Sequence, residues 1–241
     1  NTFIGETEYL IAAARPRYYD VATAGIQLTD KALLSYTGSW ALQKVATAGT
    51  ITTTAASATF TGVGTSFLTT AKVGAIIVLN TDAQNGVVLL WTFRRITAVN
   101  SDTDITVNAV YPTSTSSRAY TICAAFAEAT KISAISINSS IYVSGPGYTT
   151  VAWDGTNQTW VTAFPAAPYS MVFKNYVFAA GTAANPSRVS WSTLLTPGTW
   201  PSVNFVDVSP NDGQDIVGMF SDNSSIIILK SRSAYRLSGD V

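Results

Sequence analysis

Tyr148–Trp160 reads YTTVAWDGTNQTW. Apolar residues lead through Val151 to Trp153, the turn formers Asp154, Gly155 and Asn157 follow, and Trp160 closes the unit. A strand, a tight polar turn and a returning aromatic strand make a β-hairpin signature. The outline recurs at Leu34-Ser35-Tyr36-Thr37-Gly38-Ser39-Trp40, at Val189-Ser190-Trp191 leading to Gly198-Thr199-Trp200, and more weakly at Ala234-Tyr235-Arg236-Leu237-Ser238-Gly239. Tyr36, Trp40, Trp153, Trp160, Trp191, Trp200 and Tyr235 are the repeat aromatics of this pattern.

Their spacing identifies the architecture. Trp153 and Trp191 are 191 − 153 = 38 residues apart, and Trp191 and Tyr235 are 235 − 191 = 44 apart. One four-stranded propeller blade takes roughly 40–45 residues. The first interval, Tyr36 to Trp153, is 153 − 36 = 117 residues, which breaks the period. Residues 46–123, a stretch of 123 − 45 = 78 rich in Thr, Ser, Ala and Gly, contain no copy of the hairpin; without them the interval is 117 − 78 = 39. The expected organisation is therefore propeller repeats over 1–45 and 124–241, with an inserted module at 46–123.

A second echo supports this register. Asn138-Ser139-Ser140-Ile141 and Asn223-Ser224-Ser225-Ile226 are identical tetrapeptides, each preceded by an apolar run and followed by a strand. Lys174-Asn175 occupies the same place between Met171-Val172-Phe173 and Tyr176-Val177-Phe178. A polar turn between two apolar strands, followed by the aromatic hairpin, makes a four-stranded antiparallel unit.

Composition agrees with an all-β chain. Of 241 residues 47% are apolar and 12% charged, and Lys+Arg and Asp+Glu both number 14. That is about half the charged share of an average soluble domain, and a charge-poor surface with no net repulsion suits assembly with partners. No apolar run approaches the roughly 18 residues of a membrane span. Cys123 has no second cysteine to pair with and reads as a small buried hydrophobe. The single helical candidate is the Ala-rich piece around Cys123–Thr130; β-branched and aromatic residues dominate elsewhere. Tyr9 to Ala14 reads as a strand broken by Arg15-Pro16-Arg17. Asn1 opens the chain without a Met, and the last repeat stops at Val241 just past its Tyr235 strand. About four repeats of roughly 40 residues are therefore expected to form an incomplete propeller in a longer or processed polypeptide.

Within 46–123, Gly62-Val63-Gly64-Thr65-Ser66-Phe67 is a glycine turn ending in an apolar anchor. Ser57 to Gly62 alternates, and Val73 to Leu79, Val87 to Phe93 continued by Arg94 to Val99, Ile105 to Val107 and Ala119 to Ile122 supply further strands. About five strands suffice for a small β-barrel or sandwich. These elements resemble a module of tailed-phage structural proteins with a G-x-G-T-x-F turn, a V-G-x-x-I strand (Val73 to Ile77 here) and an S-D-T-x-I/L-T-V strand (Ser101 to Val107 here). Ala75 stands where that module usually carries an acidic residue.

The last quarter carries the most specific resemblance. Arg188 to Ser192 reads RVSWS, Pro197 to Pro201 PGTWP, Phe205 to Val208 FVDV, Asp212 to Gly218 DGQDIVG, Ile226 to Lys230 IIILK and Tyr235 to Gly239 YRLSG. This is similar to the propeller repeat of tail hub or nozzle proteins of short-tailed bacteriophages, which extend the portal channel and help retain packaged DNA. The resemblance implies a virion location in the phage tail and a homo-oligomeric ring, hexameric in that family. It also implies contact with other tail or portal-adaptor proteins, with double-stranded DNA as passing cargo.

Little in the sequence points to catalysis. The chain has no His, and with one Cys it cannot assemble an ordinary zinc site. Neither a phosphate-binding G-x-x-x-x-G-K-[ST] loop nor a G-x-S-x-G elbow is present. The remaining candidates are the carboxylate pairs Asp102/Asp104, Asp212/Asp215 and Glu6/Glu8. Paired carboxylates can run glycoside hydrolysis, but the first two pairs sit where turns are required, and calcium at Asp212/Asp215 is a minor alternative. Asp154 to Trp160 resembles the Asp-box of sialidase propellers without the residue that separates its Asp from its Gly, and that box stabilises a turn. The tryptophans could stack sugars, but recurrence at blade period points to packing. Zero net charge, with basic pairs only at Arg94-Arg95 and Arg15-Pro16-Arg17, disfavours tight DNA binding.

The sequence therefore indicates a non-enzymatic tail hub or nozzle subunit without a cofactor. The rival from another class is an extracellular carbohydrate-binding or glycoside-cleaving propeller. If 46–123 interrupts one blade, its ends should lie within roughly 15 Å of each other, since adjacent strands are about 4.8 Å apart. Phe60, Phe67, Ile77, Leu79, Val88, Leu90 and Trp91 should form a core of their own.

Overall fold

The computed structural model describes residues 2–4, 7–14, 31–36, 40–42, 44–45, 47–80, 91–111, 113–127 and 130–239; within 2–14, 31–42, 80 and 91–93 it describes the backbone alone. The chain packs into two compact units, Asn1–Glu128 with Thr156–Thr159, and Ala129–Gly155 with Trp160–Val241. Both are built from antiparallel β-sheet, and the fold is an all-β, partial propeller with an inserted small barrel.

The first unit begins with a meander of β1 (Thr2–Ile4), β2 (Thr7–Ala14), β3 (Lys31–Tyr36) and β4 (Trp40–Leu42). Leu34, Ser35 and Tyr36 of β3 pair with Leu42, Ala41 and Trp40. The chain then leaves this sheet for β5 (Thr50–Thr53), β6 (Thr59–Val63), the one-turn helix α1 (Phe67–Thr70), β7 (Ile76–Asn80), β8 (Trp91–Ser101), β9 (Asp104–Val107), β10 (Thr115–Arg118) and β11 (Tyr120–Cys123). It returns as β12 (Ala125–Phe126), which pairs with Ala32 and Lys31 of β3. β4 and β12 thus lie on the same edge of β3, one continuing where the other stops. Together they are one fourth strand, and everything between them is spliced into its middle.

The spliced array runs in the order β10-β5-β6-β9-β8-β7-β11. Ala119 alone separates β10 from β11, and these halves of one strand pair with β5 and β7 respectively. The two ends of the array are therefore joined, which closes the sheet into a barrel. Val45 forms a bridge with Ile122, its N–H donating to the Ile122 carbonyl at 2.8 Å, so the module's two ends lie side by side. Alternation along the strands sorts side chains into the barrel interior: Ile51, Phe60, Ile77, Leu79, Ile96, Ile105 and Ile122 are all buried. Val88 and Leu90 fall outside the described residues, as does the side chain of Trp91.

Two of the barrel motifs noted in the sequence, the glycine turn and Ser101 to Val107, meet here. The Asp102 carbonyl accepts the Thr65 hydroxyl at 2.6 Å and the Phe67 N–H at 3.2 Å, while the Asp102 carboxylate takes the Leu68 N–H at 3.1 Å. This secures Phe67, which is fully buried and meets Tyr120 edge-on at 5.7 Å. Gly62 is required because a Cβ there would lie 2.1 Å from the Thr65 hydroxyl oxygen. The structure has more strands than the sequence led us to expect, since β5 and β10, made largely of Thr and Ser, lack the apolar alternation of a strand. In the Ala-rich segment expected to be helical, Cys123 and Ala125–Phe126 are instead strand, in β11 and β12, and 128–129 lie outside the described residues. Pairing to β7 and β3 supplies its hydrogen bonds, and the Gln158 side-chain oxygen accepts the Ala124 N–H at 3.0 Å.

The second unit stacks three sheets. The first contains β13 (Ser133–Ile137), β14 (Ser140–Ser144), β15 (Thr150–Trp153) and β16 (Gln158–Val161), the last of which begins in the segment assigned to the first unit. The second contains β17 (Tyr169–Phe173), β18 (Tyr176–Thr182), β19 (Asn185–Trp191) and β20 (Phe205–Asp207). The third contains β21 (Ile216–Ser221), β22 (Ile226–Lys230) and β23 (Ala234–Leu237). Strand β18 shows how they stack. Val177 and Ala179 join a core with Ile135, Ile137 and Phe164, while Phe178 and Ala180 join another with Ile216, Ile226 and Ile228. One strand thus serves two cores by alternation, as blade stacking requires.

The turns explain the repeated sequences only in part. Asn138-Ser139 and Lys174-Asn175 both have two consecutive positive φ values, the two-residue hairpin geometry that matches strand twist. Asn223-Ser224 instead lies in a wider loop, where the Asp222 carboxylate accepts the N–H groups of Ser224 and Ser225 at 3.0 and 2.8 Å. Identical tetrapeptides therefore enter their strands through different turns, but each delivers a buried isoleucine, Ile141 or Ile226.

Because Val45 and Ile122 are adjacent, joining Val45 to Ala124 by a short Gly-Ser linker should leave the remaining sheets intact. Far-UV circular dichroism and a cooperative thermal transition of the shortened chain test this, with loss of the transition as the contrary result.

Candidate functional site

Of the carboxylates considered for chemistry, Asp102, Asp104 and Asp212 are engaged in structure. Asp102 caps α1 as described above, and Asp104 accepts a hydrogen bond from the Asn100 side-chain amide. Asp212 receives the Lys230 ammonium at 2.9 Å and the Gln214 N–H at 2.9 Å. Asp215 is exposed at the foot of β21. Glu6 and the Glu8 side chain lie outside the described residues. Among the described residues, no group of three or more His, Cys, Asp or Glu side chains is placed to hold a metal ion.

Lys230 anchors a buried polar cluster of the second unit. Its side chain has no solvent exposure, and its ammonium donates to Ser187 Oγ at 3.1 Å, the Ser209 carbonyl at 2.9 Å and Asp212 Oδ1 at 2.9 Å. All three donors are used, as burial of a charged amine demands. The cluster ties the crossover loop after β20 to β22 and β19. The sequence contained the signal, because Ile226, Ile228 and Lys230 share the buried parity of one strand. A lysine at such a position needs an anion nearby.

Two further charged contacts organise the sheet surfaces. Arg188 forms a bidentate pair with Asp207, Nε–Oδ1 at 2.7 Å and Nη2–Oδ2 at 2.9 Å, and its guanidinium lies 3.6 Å from the centroid of the Phe205 ring. The Asp222 carboxylate accepts the Ser225 hydroxyl at 2.8 Å, and Arg236 donates to the hydroxyls of Ser225 and Ser224. Lys230 holds the carboxyl of Asp212 below the usual carboxylate range, Arg188 does the same for Asp207, and the Ser225 hydroxyl does so for Asp222. Burial pushes the Cys123 thiol up to about 12, which leaves it inert.

The repeat aromatics occupy several environments. Tyr36 and Trp40 are register partners in β3 and β4, with side chains outside the described residues. Trp153 is 1% exposed and pairs with Ile141; Trp191 is half-buried and pairs with Phe178, the rings 6.0 Å apart. Trp160 and Tyr235 are half-buried. Trp200 reaches back from the β19–β20 connection to Phe164 at 5.0 Å, and Phe164 stacks on Tyr142 at 6.0 Å. The Trp200 indole N–H donates to the Pro197 carbonyl at 2.7 Å, fixing the PGTWP turn.

The basic pair Arg94-Arg95 belongs to the barrel wall. Arg94 is buried beside Tyr111, and Arg95 donates to the Gly74 carbonyl at 2.8 Å. Arg15 and Arg17 lie outside the described residues. A groove on the barrel surface is lined by Thr52, Thr54, Ser114, Ser116 and Arg118. It offers hydroxyls but no aromatic ring among its lining residues.

No protein-family model matches the chain, and no curated protein matches its sequence. Among solved structures, Phage phi92 endosialidase aligns with 83% of this chain at 12% identity and a TM-score of 0.30. The alignment spans 39% of that protein's chain.

Trp153→Ala should cost about 3–5 kcal/mol, as truncation of a large core aromatic does, and chemical denaturation measures it. The lowered carboxyls of Asp207, Asp212 and Asp222 favour the folded state above the ordinary Asp value of about 3.9. That contribution is lost as pH falls through their lower folded values. Stability should therefore drop as pH falls below about 4, with a flatter acid slope in Asp212→Asn. An equal slope in parent and variant would remove Asp212 from the acid response.

Proposed function

We propose that this chain is a structural subunit of a bacteriophage tail, of the hub or nozzle kind. On this reading it assembles as a homo-oligomeric ring around the DNA path, contacts other tail or portal-adaptor proteins, and carries out no catalysis. The observation that carries the proposal is the structural use made of the residues resembling the hub and nozzle repeat. RVSWS forms the end of β19 and pairs Trp191 with Phe178, PGTWP places Trp200, and DGQDIVG and IIILK bring Asp212 to Lys230. The motifs thus build consecutive stacked sheets, which supports their reading as a scaffold repeat.

Two physical features support the same role. Net charge is zero and the charged share is 12%, which suits a conduit, because tight nucleic-acid binding rests on neutralising many phosphates with Lys and Arg. The Asp102, Asp207, Asp212 and Asp222 carboxylates are held by backbone, hydroxyl, guanidinium or ammonium partners. Carboxylates used in this way fit a structural protein better than a paired acid and base.

Mass spectrometry of purified phage particles, with electron microscopy of the isolated protein, tests the proposal. The chain should be present in virions and form closed rings. A monomer absent from particles and retained on a glycan array would replace it with the carbohydrate-directed alternative.

A further inference from the structure

We propose that Lys230 and Asp212 form an acid-sensitive latch on the crossover loop 209–215, which opens by itself while the sheets on either side stay folded. The latch belongs to the fold of the second unit and does not depend on the tail role. Val208 and Ile216, at the two ends of the loop, are buried and belong to the core that contains Phe178 and Ile228. Between them no residue is buried: Gln214 is half-buried and the others are exposed. Apolar packing therefore anchors the ends of the loop and contributes little to its closure, which is the condition for opening as a local unit.

The closed loop is also strained. Ser209 and Asn211 have φ values of 44° and 68°, in the left-handed region that residues other than glycine enter at a cost. The contacts that offset this cost are polar and converge on one amine. Lys230 Nζ donates to the Ser209 carbonyl and to Asp212 Oδ1, both at 2.9 Å. It also donates at 3.1 Å to Ser187 Oγ, which in turn donates to the Gln214 carbonyl at 3.2 Å. The Gln214 side-chain oxygen then accepts the Arg232 N–H at 2.7 Å. The loop is thus held at Ser209, Asp212 and Gln214 by Lys230, directly or through Ser187.

Asp212 is the one anion among the three acceptors of Lys230. Protonating its carboxyl leaves an ammonium without solvent exposure among neutral groups, and a buried charge that has lost its partner is costly. Moving the loop away admits water to the amine and relieves Ser209 and Asn211. The other titratable groups around the pair do not replace the lost charge. Tyr235 on β23, its ring centroid 6.0 Å from Lys230 Nζ, is a neutral phenol in acid. Asp207 on β20 is paired with Arg188 of β19, and Asp215 and Arg232 are exposed. Lys230 holds the Asp212 carboxyl below its usual range. The latch is therefore closed above the ordinary Asp value of about 3.9 and opens as pH falls through the lower folded value.

Residue-resolved hydrogen exchange on the whole 241-residue chain, at about pH 7 and about pH 3, tests the latch. The readout is the Arg232 amide, whose acceptor is the loop residue Gln214. After correction for intrinsic exchange, its protection should fall about tenfold or more in acid, as expected when a buried pair is broken, while the amides of β18 keep theirs. Lys230→Met keeps an apolar stem of similar length without the charge, so the Arg232 amide should then exchange alike at both pH values. Asp212→Asn, which keeps the shape and removes the anion, should show the lowered protection already at neutral pH. It carries the test if the Lys230 variant fails to fold. Protection that does not change with pH, loss of protection in β18 together with the loop, or Asp212→Asn protected like the parent at neutral pH would each overturn the proposal. So would a parent-like pH response in folded Lys230→Met.

Discussion

A β-sheet stacked between two others must be apolar on both faces, and the second unit depends on that constraint. Strand β18 meets it with four consecutive buried residues, Val177 to Ala180, that alternate between two cores. No polar residue can be placed in such a run without facing one core or the other. Polar groups are displaced to the turns, the strand ends and the crossover loops, where Asp212, Ser209 and Lys230 gather. The low charge of the chain follows from the same requirement, because residues that would face solvent in an isolated sheet here face a neighbouring sheet.

This arrangement divides the work between backbone and side chains. Strand pairing sets the size and order of each sheet, while a few large side chains set how the sheets meet. Phe164 and Trp200 bind one pair of sheets; Phe178 and Trp191 serve the other. The polar clusters then fix the connections: Lys230 secures a crossover, and Asp222 shapes a hairpin loop. Each cluster lies at a junction between elements, and each is satisfied within the fold.

The repeat was legible in the sequence because strands of a blade need apolar residues and tight turns at recurring intervals. The aromatic at the third strand was visible for the same reason, although Trp153 and Trp191 differ in their strand partners. The strands β5 and β10 were not legible, since Thr and Ser alternate in polarity too weakly to mark a face. The helix α1 was also missed, as a single turn held by Asp102 leaves no periodic trace. The Lys230 cluster could have been inferred from parity along β22, but its anion lies 18 residues upstream across a crossover. Distance in sequence hid the pair, although both residues stood in recognisable runs.

The split fourth strand of the first sheet has a consequence for the order in which the chain can fold. Its halves, ending at Leu42 and resuming at Ala125, are 125 − 42 = 83 residues apart in sequence but follow one another along β3. Bringing distant segments together through a disordered loop costs entropy that rises with loop length, by about 0.6 kcal/mol for each doubling. A barrel that has already closed removes most of that length, because its Val45–Ile122 bridge delivers the two ends side by side. The long-range pairing then becomes a local one. A barrel that closes first therefore lowers the entropic cost of completing β3's outer edge.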